Sequence, residues 1–144
     1  MIRKLFMSKN QKIVHHWEKE HHAIVVLATK VIESYNLNDQ DKAKKHLKAL
    51  NTLAVGHIMN EDIEFYKLLR DDKRKDDETE FMIQEFTRSF KNTKLTLMNF
   101  LRKYTKDDVA LDDEFFETFN KIVDILGRRI DFEEKNLYKK LRQL

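Results

Sequence analysis

The sequence predicts an all-α protein that folds as an up-down-up-down antiparallel four-helix bundle. Its 144 residues fit a single domain, residues 1–144. Proline is absent and glycine occurs only twice, so the chain has almost none of the turn residues that β-hairpins need. Four long segments instead repeat apolar residues every three or four positions, as helices with one buried face do. Long helices joined by short linkers pack most simply as an antiparallel bundle.

The first two helices are expected over residues 9–36 and 40–70. The inward stripe of the first helix contains Val14, Trp17, His21, Ile24, Ala28, Val31 and Tyr35. The inward stripe of the second helix contains Ala43, Leu47, Leu50, Ala54, His57, Glu61, Glu64 and Leu68. Burial of histidine and carboxylate side chains is costly unless they have partners. These polar residues on apolar stripes therefore mark a candidate site.

The third and fourth helices are expected over residues 78–104 and 112–142. The inward stripe of the third helix has no histidine and contains Ile83, Phe86, Phe90, Thr93, Leu97, Phe100 and Tyr104. Acidic residues at the start of the fourth helix suit the positive end of its dipole. The inward face of the fourth helix is apolar except for Arg129 and Glu133.

An internal repeat relates the second helix to the fourth. A shift of the chain by 72 residues pairs identical residues at Ile58/Ile130, Glu61/Glu133, Tyr66/Tyr138, Lys67/Lys139, Leu69/Leu141 and Arg70/Arg142. The same shift places His57 on Arg129 and His21 on Thr93. The bundle is therefore expected to consist of two helical hairpins related by a pseudo-twofold axis.

The polar exceptions on these stripes predict a metal centre. His57 and Glu61 are four residues apart and share one helix face. His21 is expected at the height of His57, and the repeat puts Glu133 at the height of Glu61. Cysteine is absent, so the ligands of any metal must be imidazole and carboxylate groups.

The motif His57-x-x-x-Glu61, preceded by His21 on the first helix, resembles the hemerythrin HHE cation-binding domain. The pattern of that family repeats the same residues on the third and fourth helices. The resemblance extends over about Val14 to Leu141 and implies a bundle around a non-haem di-iron site bridged by two carboxylates. It implies that His21, His57 and Glu61 are ligands and that Glu133 is the second bridging carboxylate.

Two histidines of the family pattern are replaced here, by Thr93 and Arg129. One of the two irons would lose its own imidazole ligands, so we expect one iron rather than two and no reversible dioxygen binding. We expect the Arg129 guanidinium to bond Glu61 or Glu133 and to supply the positive charge that a second metal would have brought.

These features predict a non-catalytic metal-binding protein that holds non-haem iron, or else zinc or manganese, for sensing, storage or redox signalling. The alternative is a metal-free bundle that regulates a protein partner, with Arg129 in place of the second metal. A second copy of the chain is a further candidate partner. An oxidase or peroxidase would need acid–base and substrate-binding residues, and the sequence offers none beyond the cluster itself.

Charge and hydropathy argue against a nucleic-acid-binding protein and against a membrane or secreted protein. The 28 basic and 25 acidic residues are interspersed, with a net charge of +3, and form no patch for nucleic acid. No apolar run has the length of a membrane span or of a signal peptide, so we expect a cytoplasmic protein without membrane contact.

The other histidines are expected at the boundary or the surface of the bundle. His46 lies about 16 Å along the helix axis from His57, too far to bind the same ion. The triplet His15, Glu18 and His22 has spacings of three and four, so it could form a second, surface metal face.

Overall fold

The computed structural model describes residues 7–71 and 76–143, without the side chains of residues 68–71. The described residues form four helical rods and contain no strand, which confirms the all-α bundle. The first three rods are α1 (Lys9–Asn36), α2 (Gln40–Asp71) and α3 (Asp77–Tyr104). The fourth rod consists of α4 (Asp113–Phe132), a π-helical turn (Glu133–Leu137) and α5 (Tyr138–Gln143). Over these residues, no helix is long and apolar enough to cross a membrane.

Side-chain caps explain where the rods begin. Ser8, Asp39, Asp76 and Asp112 each precede a helix, and each side chain accepts a hydrogen bond from the backbone N–H three residues further on, at 2.7 to 3.2 Å. Such caps satisfy N–H groups that have no partner inside the helix. Between α1 and α2 the chain reverses at Asn38, whose φ of 58° lies in the left-handed region that asparagine tolerates.

Contacts between helix ends show that neighbouring rods run antiparallel. Tyr35, near the end of α1, donates to Asp113 at the start of α4, at 2.6 Å. Glu18, near the start of α1, pairs with Arg142 in α5 at 3.1 Å. Lys44, near the start of α2, donates to the carbonyl of the last residue of α3 at 2.7 Å.

A polar layer divides the apolar core into two clusters. The larger cluster includes Ala28, Val31, Ala43, Leu47, Leu50, Leu97, Leu101, Phe115, Phe119 and Ile122. The smaller cluster contains Val14, Trp17, Phe65, Ile83, Phe86, Leu137, Tyr138 and Leu141. The buried polar residues between them include His21, His57, Glu61, Arg129 and Glu133. The candidate site is therefore shielded by apolar packing on both sides.

Several positions expected on inward stripes lie at the edge of the core instead. Glu64 is half-buried and its carboxylate lies 3.8 Å from the Lys67 ammonium. It follows Glu61 by three residues, so it is rotated by about 60° from the inward direction and its charge reaches solvent. Tyr35, Phe90 and Thr93 are also half-buried. The side chain of Leu68, another expected inward residue, lies outside the described part of the chain.

Candidate metal centre

Three elements bring the four predicted ligands together in the polar layer. His21 comes from α1, His57 and Glu61 from successive turns of α2, and Glu133 from the first position of the π-helical turn. Each offers one ligand atom, and these four atoms lie within 4.8 Å of one another. All four side chains are buried. The helical stripes of the sequence thus identified side chains that do meet, whereas their role as ligands stays a prediction.

Nitrogen and oxygen atoms of these residues approach closely. The Nε2 atoms of His21 and His57 are 3.0 Å apart. His57 Nε2 lies 3.1 Å from Glu61 Oε1, and His21 Nε2 lies 3.0 Å from Glu133 Oε1. Both imidazoles therefore direct the same ring nitrogen toward the centre of the cluster.

Two outer carboxylates fix the orientation of these rings, and the sequence interpretation missed both of them. Glu20 Oε1 lies 2.9 Å from His57 Nδ1, and Glu134 Oε1 lies 3.4 Å from His21 Nδ1. Because a carboxylate accepts hydrogen bonds, we assign the ring hydrogen of each neutral histidine to Nδ1. Each Nε2 then presents a lone pair to the cluster, as in histidines that bind metals.

The donor set fits a bound cation. In the tautomers set by Glu20 and Glu134, the two Nε2 lone pairs of His21 and His57 face each other, and each also faces a carboxylate oxygen. Lone pairs at such distances repel unless a positive charge lies between them. A metal ion or a shared proton provides that charge.

The pKa shifts show where protons are held in the cluster. Burial and the neighbouring Glu61 charge raise the pKa of Glu133 well above its usual range. Burial also opposes ionisation of Glu61, but hydrogen bonding from His57 and the Arg129 charge lower the pKa of Glu61 to about 2. Burial disfavours charged His57 too, yet the hydrogen bonds to Glu61 and Glu20 raise its pKa. Burial and the adjacent His57 lower the pKa of His21.

Arg129 contacts both buried glutamates, where the sequence had predicted a bond to one or the other. Its Nε lies 3.3 Å from Glu133 Oε2, and its Nη2 lies 3.4 Å from Glu61 Oε1. The guanidinium also lies over the rings of Phe86 and Phe90, at 4.9 and 5.3 Å from their centroids. A buried cation is thus held between two carboxylates and an aromatic wall.

Tyr138 also belongs to the cluster, although the internal repeat gave no indication of it. Its hydroxyl donates to Glu61 Oε2 at 2.5 Å and lies 3.0 Å from His21 Nε2. Burial and the charges of Glu61 and Glu133 raise the pKa of this phenol. The repeat pairs Tyr138 with Tyr66, which is 62% exposed, whereas Tyr138 is 0% exposed. A π-helical turn has no clear sequence signal, so the helical period could not predict this difference.

The triplet His15, Glu18 and His22 does not form the surface metal site that its spacing suggested. His22 is exposed, and Glu18 pairs with Arg142 instead. Within the described residues, the central cluster is the one group of histidine and carboxylate side chains with a geometry for metal binding. His46 is half-buried, and burial lowers its pKa.

Little free space adjoins the cluster itself. A cavity of about 10 Å³ is lined by four members of the cluster, His21, His57, Arg129 and Glu133, and by five apolar residues, which are Ile24, Ala54, Ile58, Leu126 and Ile130. All of these apolar residues except Ile58 also line a larger cavity of about 240 Å³, whose wall contains no titratable side chain. The smaller space is close to the volume that one water molecule needs.

Comparison with known proteins agrees with this architecture. Residues 12–141 match the family model described as hemerythrin HHE cation binding domain. No curated protein and no solved structure matches the chain. The match covers nearly the whole sequence and includes every residue of the cluster, so this chain belongs to the hemerythrin HHE cation-binding domain family.

Proposed function

We propose that this chain holds one non-haem iron ion inside its bundle, for sensing, storage or redox signalling rather than for catalysis. The proposed ligands are His21, His57, Glu61 and Glu133. The observation that carries the proposal is the 3.0 Å approach of the two Nε2 atoms, whose lone pairs a cation would share. When bound, iron would supply Lewis acidity and one-electron redox chemistry.

Arg129 favours one ion over two. Its guanidinium already lies within hydrogen-bond distance of Glu61 and Glu133 on the side facing Phe86. A second ion on that side would meet a permanent positive charge in a poorly solvated region. Thr93, which the repeat equates with His21, supplies a hydroxyl in place of an imidazole. We therefore expect a mononuclear site.

The donor set narrows the choice of metal without fixing it. Two imidazoles and two carboxylates suit iron, zinc and manganese. Iron is the first to test because the hemerythrin resemblance implies a non-haem iron centre.

The surroundings of the cluster support a binding role. The cavity beside the ligands measures about 10 Å³, which leaves no room for an organic substrate. The larger neighbouring cavity has an almost wholly apolar wall and offers no acid or base.

Equilibrium dialysis of the full chain against ferrous iron under anaerobic conditions tests this proposal. Wild-type protein should bind about one ion per chain, and His57→Ala should bind none because it removes a central ligand. His46→Ala is the matched control, since it removes a half-buried histidine of the same helix outside the cluster. Circular dichroism checks that both variants fold. Unchanged iron binding in His57→Ala would reject the ligand assignment.

The second candidate is a metal-free module that regulates a protein partner or a second copy of the chain. Arg129 already pairs with both Glu61 and Glu133, and every buried side-chain nitrogen or oxygen among the described residues lies within hydrogen-bond distance of a partner. Failure of the wild type to bind iron, zinc or manganese in the same dialysis would favour this function.

A further inference from the structure

The π-helical turn places Tyr138 on the same face of the fourth rod as Glu133. Successive residues of an α-helix rotate by about 100°, so a side chain five residues after Glu133 would point about 140° away from it. The turn over Glu133–Leu137 instead closes with the Tyr138 N–H donating to the Glu133 carbonyl, five residues earlier. The wider turn directs Tyr138 into the polar layer.

Tyr66 provides an internal comparison. It follows Glu61 by five residues, as Tyr138 follows Glu133, but its helix α2 continues without a π turn. Tyr66 is largely exposed, whereas Tyr138 is fully buried. π turns are rare in proteins, but those that occur are often found at functional sites. The turn in the fourth rod fits this pattern, because it adds one side chain to the cluster.

The Tyr138 oxygen contacts His21 as well as Glu61. The same oxygen lies 3.0 Å from His21 Nε2, which carries no hydrogen in the assigned tautomer. The phenol ring is stacked on the His21 ring at 5.4 Å and packs against Trp17 at 5.5 Å between centroids. The oxygen is therefore held beside a metal-directed lone pair.

Distances around His21 Nε2 match those between neighbouring ligands of one ion. Adjacent ligands of an octahedral ion with bonds of about 2.1 Å lie about 3.0 Å apart. His57 Nε2, Glu133 Oε1 and the Tyr138 hydroxyl oxygen each lie 3.0 Å from His21 Nε2. The tyrosine oxygen thus belongs to the same set as the proposed ligands.

From this geometry we propose that Tyr138 is a fifth ligand, which binds a trivalent ion as a phenolate; the inference rests on the proposed metal-binding function. On binding, the phenol O–H bond breaks, the oxygen bonds to the ion and the proton leaves to solvent. When both glutamates are ionised as ligands, Glu61, Glu133 and Arg129 together carry one net negative charge in the buried layer. A ferric ion would leave two positive charges there, and the phenolate reduces them to one, which lowers the cost of burial.

Spectroscopy of the ferric protein tests the inference without any activity assay. Phenolate bound to ferric iron gives a visible charge-transfer band and enhanced tyrosine modes in resonance Raman spectra. Wild-type protein should show both, and Tyr138→Phe should lose both while it retains bound iron. Tyr66→Phe is the matched control, because it removes the exposed tyrosine at the equivalent position of the repeat and should keep the band.

The outcomes separate this inference from the proposed function. Bound iron without a phenolate band in the wild type, or a band that persists in Tyr138→Phe, would overturn the fifth ligand alone. Absence of iron binding by the wild type would overturn both proposals. If Tyr138→Phe fails to fold, the wild type is titrated with gallium instead. A phenolate ligand must produce the ultraviolet difference spectrum of ionised tyrosine at one equivalent, and absence of that spectrum with gallium bound would overturn the fifth ligand.

Discussion

The Nε2 atoms of His21 and His57 face each other across 3.0 Å, while the opposite nitrogen of each ring is turned to a carboxylate. Two neutral imidazoles in this arrangement direct their lone pairs at the same point. The arrangement is explained if a cation is held there, and Glu61 and Glu133 supply oxygen atoms at the same separation.

Trp17 should report iron binding. It is the single tryptophan of the chain, is buried, and lies 6.2 Å from the His57 ring and 5.5 Å from the Tyr138 ring between centroids. Iron in the cluster should quench its fluorescence, with saturation near one equivalent. The measurement is an anaerobic titration of the full chain. Equal quenching in His57→Ala would show that the iron binds elsewhere.

Arg129→Met should destabilise the metal-free protein. The substitution leaves Glu61 and Glu133 buried without their cation, and loss of one partner of a buried ion pair costs about 3–5 kcal/mol. Urea unfolding measures the change in free energy. Arg128→Met is the control: Arg128 is exposed and pairs with Asp124 on the surface, so its loss should cost less than about 1 kcal/mol. Similar effects of the two substitutions would contradict this role of Arg129.

Glu20→Ala should weaken metal binding although Glu20 is not a proposed ligand. Its carboxylate accepts the hydrogen of His57 Nδ1 at 2.9 Å and thereby holds the other ring nitrogen toward the cluster. Loss of such a partner lowers metal affinity by about 10- to 100-fold. Competitive titration with a chelator measures this change. Glu18→Ala, which breaks a surface pair with Arg142, should leave the affinity unchanged; a loss as large as that of Glu20→Ala would argue against the orienting role.

Metal affinity should increase with pH. The pKa of His57 is raised despite its burial, because Glu61 and Glu20 stabilise the protonated ring. A metal must displace that proton, so binding is weakened below the raised pKa and strengthens as pH rises through it. Each displaced proton changes the affinity by roughly tenfold per pH unit below that pKa. Binding constants measured between about pH 6 and pH 8 should show this slope; an affinity independent of pH would contradict proton displacement.

The helical period and the internal repeat together were sufficient to predict which four side chains would meet. His21, His57 and Glu61 interrupt apolar stripes with spacings of three and four, and a regular helix keeps such residues on one face. The internal repeat extended the prediction to Glu133. The assignment of Glu64 to the core was wrong. Glu64 lies at the boundary of the stripe, where the helical period allows a charged residue as well as an apolar one.

The remaining members of the cluster depend on features that the period does not encode. Tyr138 turns inward only because the fourth rod widens into a π turn, which also separates it from its repeat partner Tyr66. Glu20 and Glu134 lie next to predicted ligands in the sequence, but on the flanks of their helices. Their side chains reach the histidines of other rods, which a single helical stripe cannot predict.

Metal analysis combined with absorption spectroscopy tests whether the bundle holds one iron ion. Full-length, tag-free protein would be reconstituted anaerobically with ferrous iron, freed of excess metal and measured by mass spectrometry. We predict about one iron per chain and no oxo-bridge charge-transfer bands after oxidation, because Arg129 takes the place of a second ion. Two irons with oxo-bridge bands would contradict a mononuclear site, and absence of iron after reconstitution would contradict the metal-binding function itself.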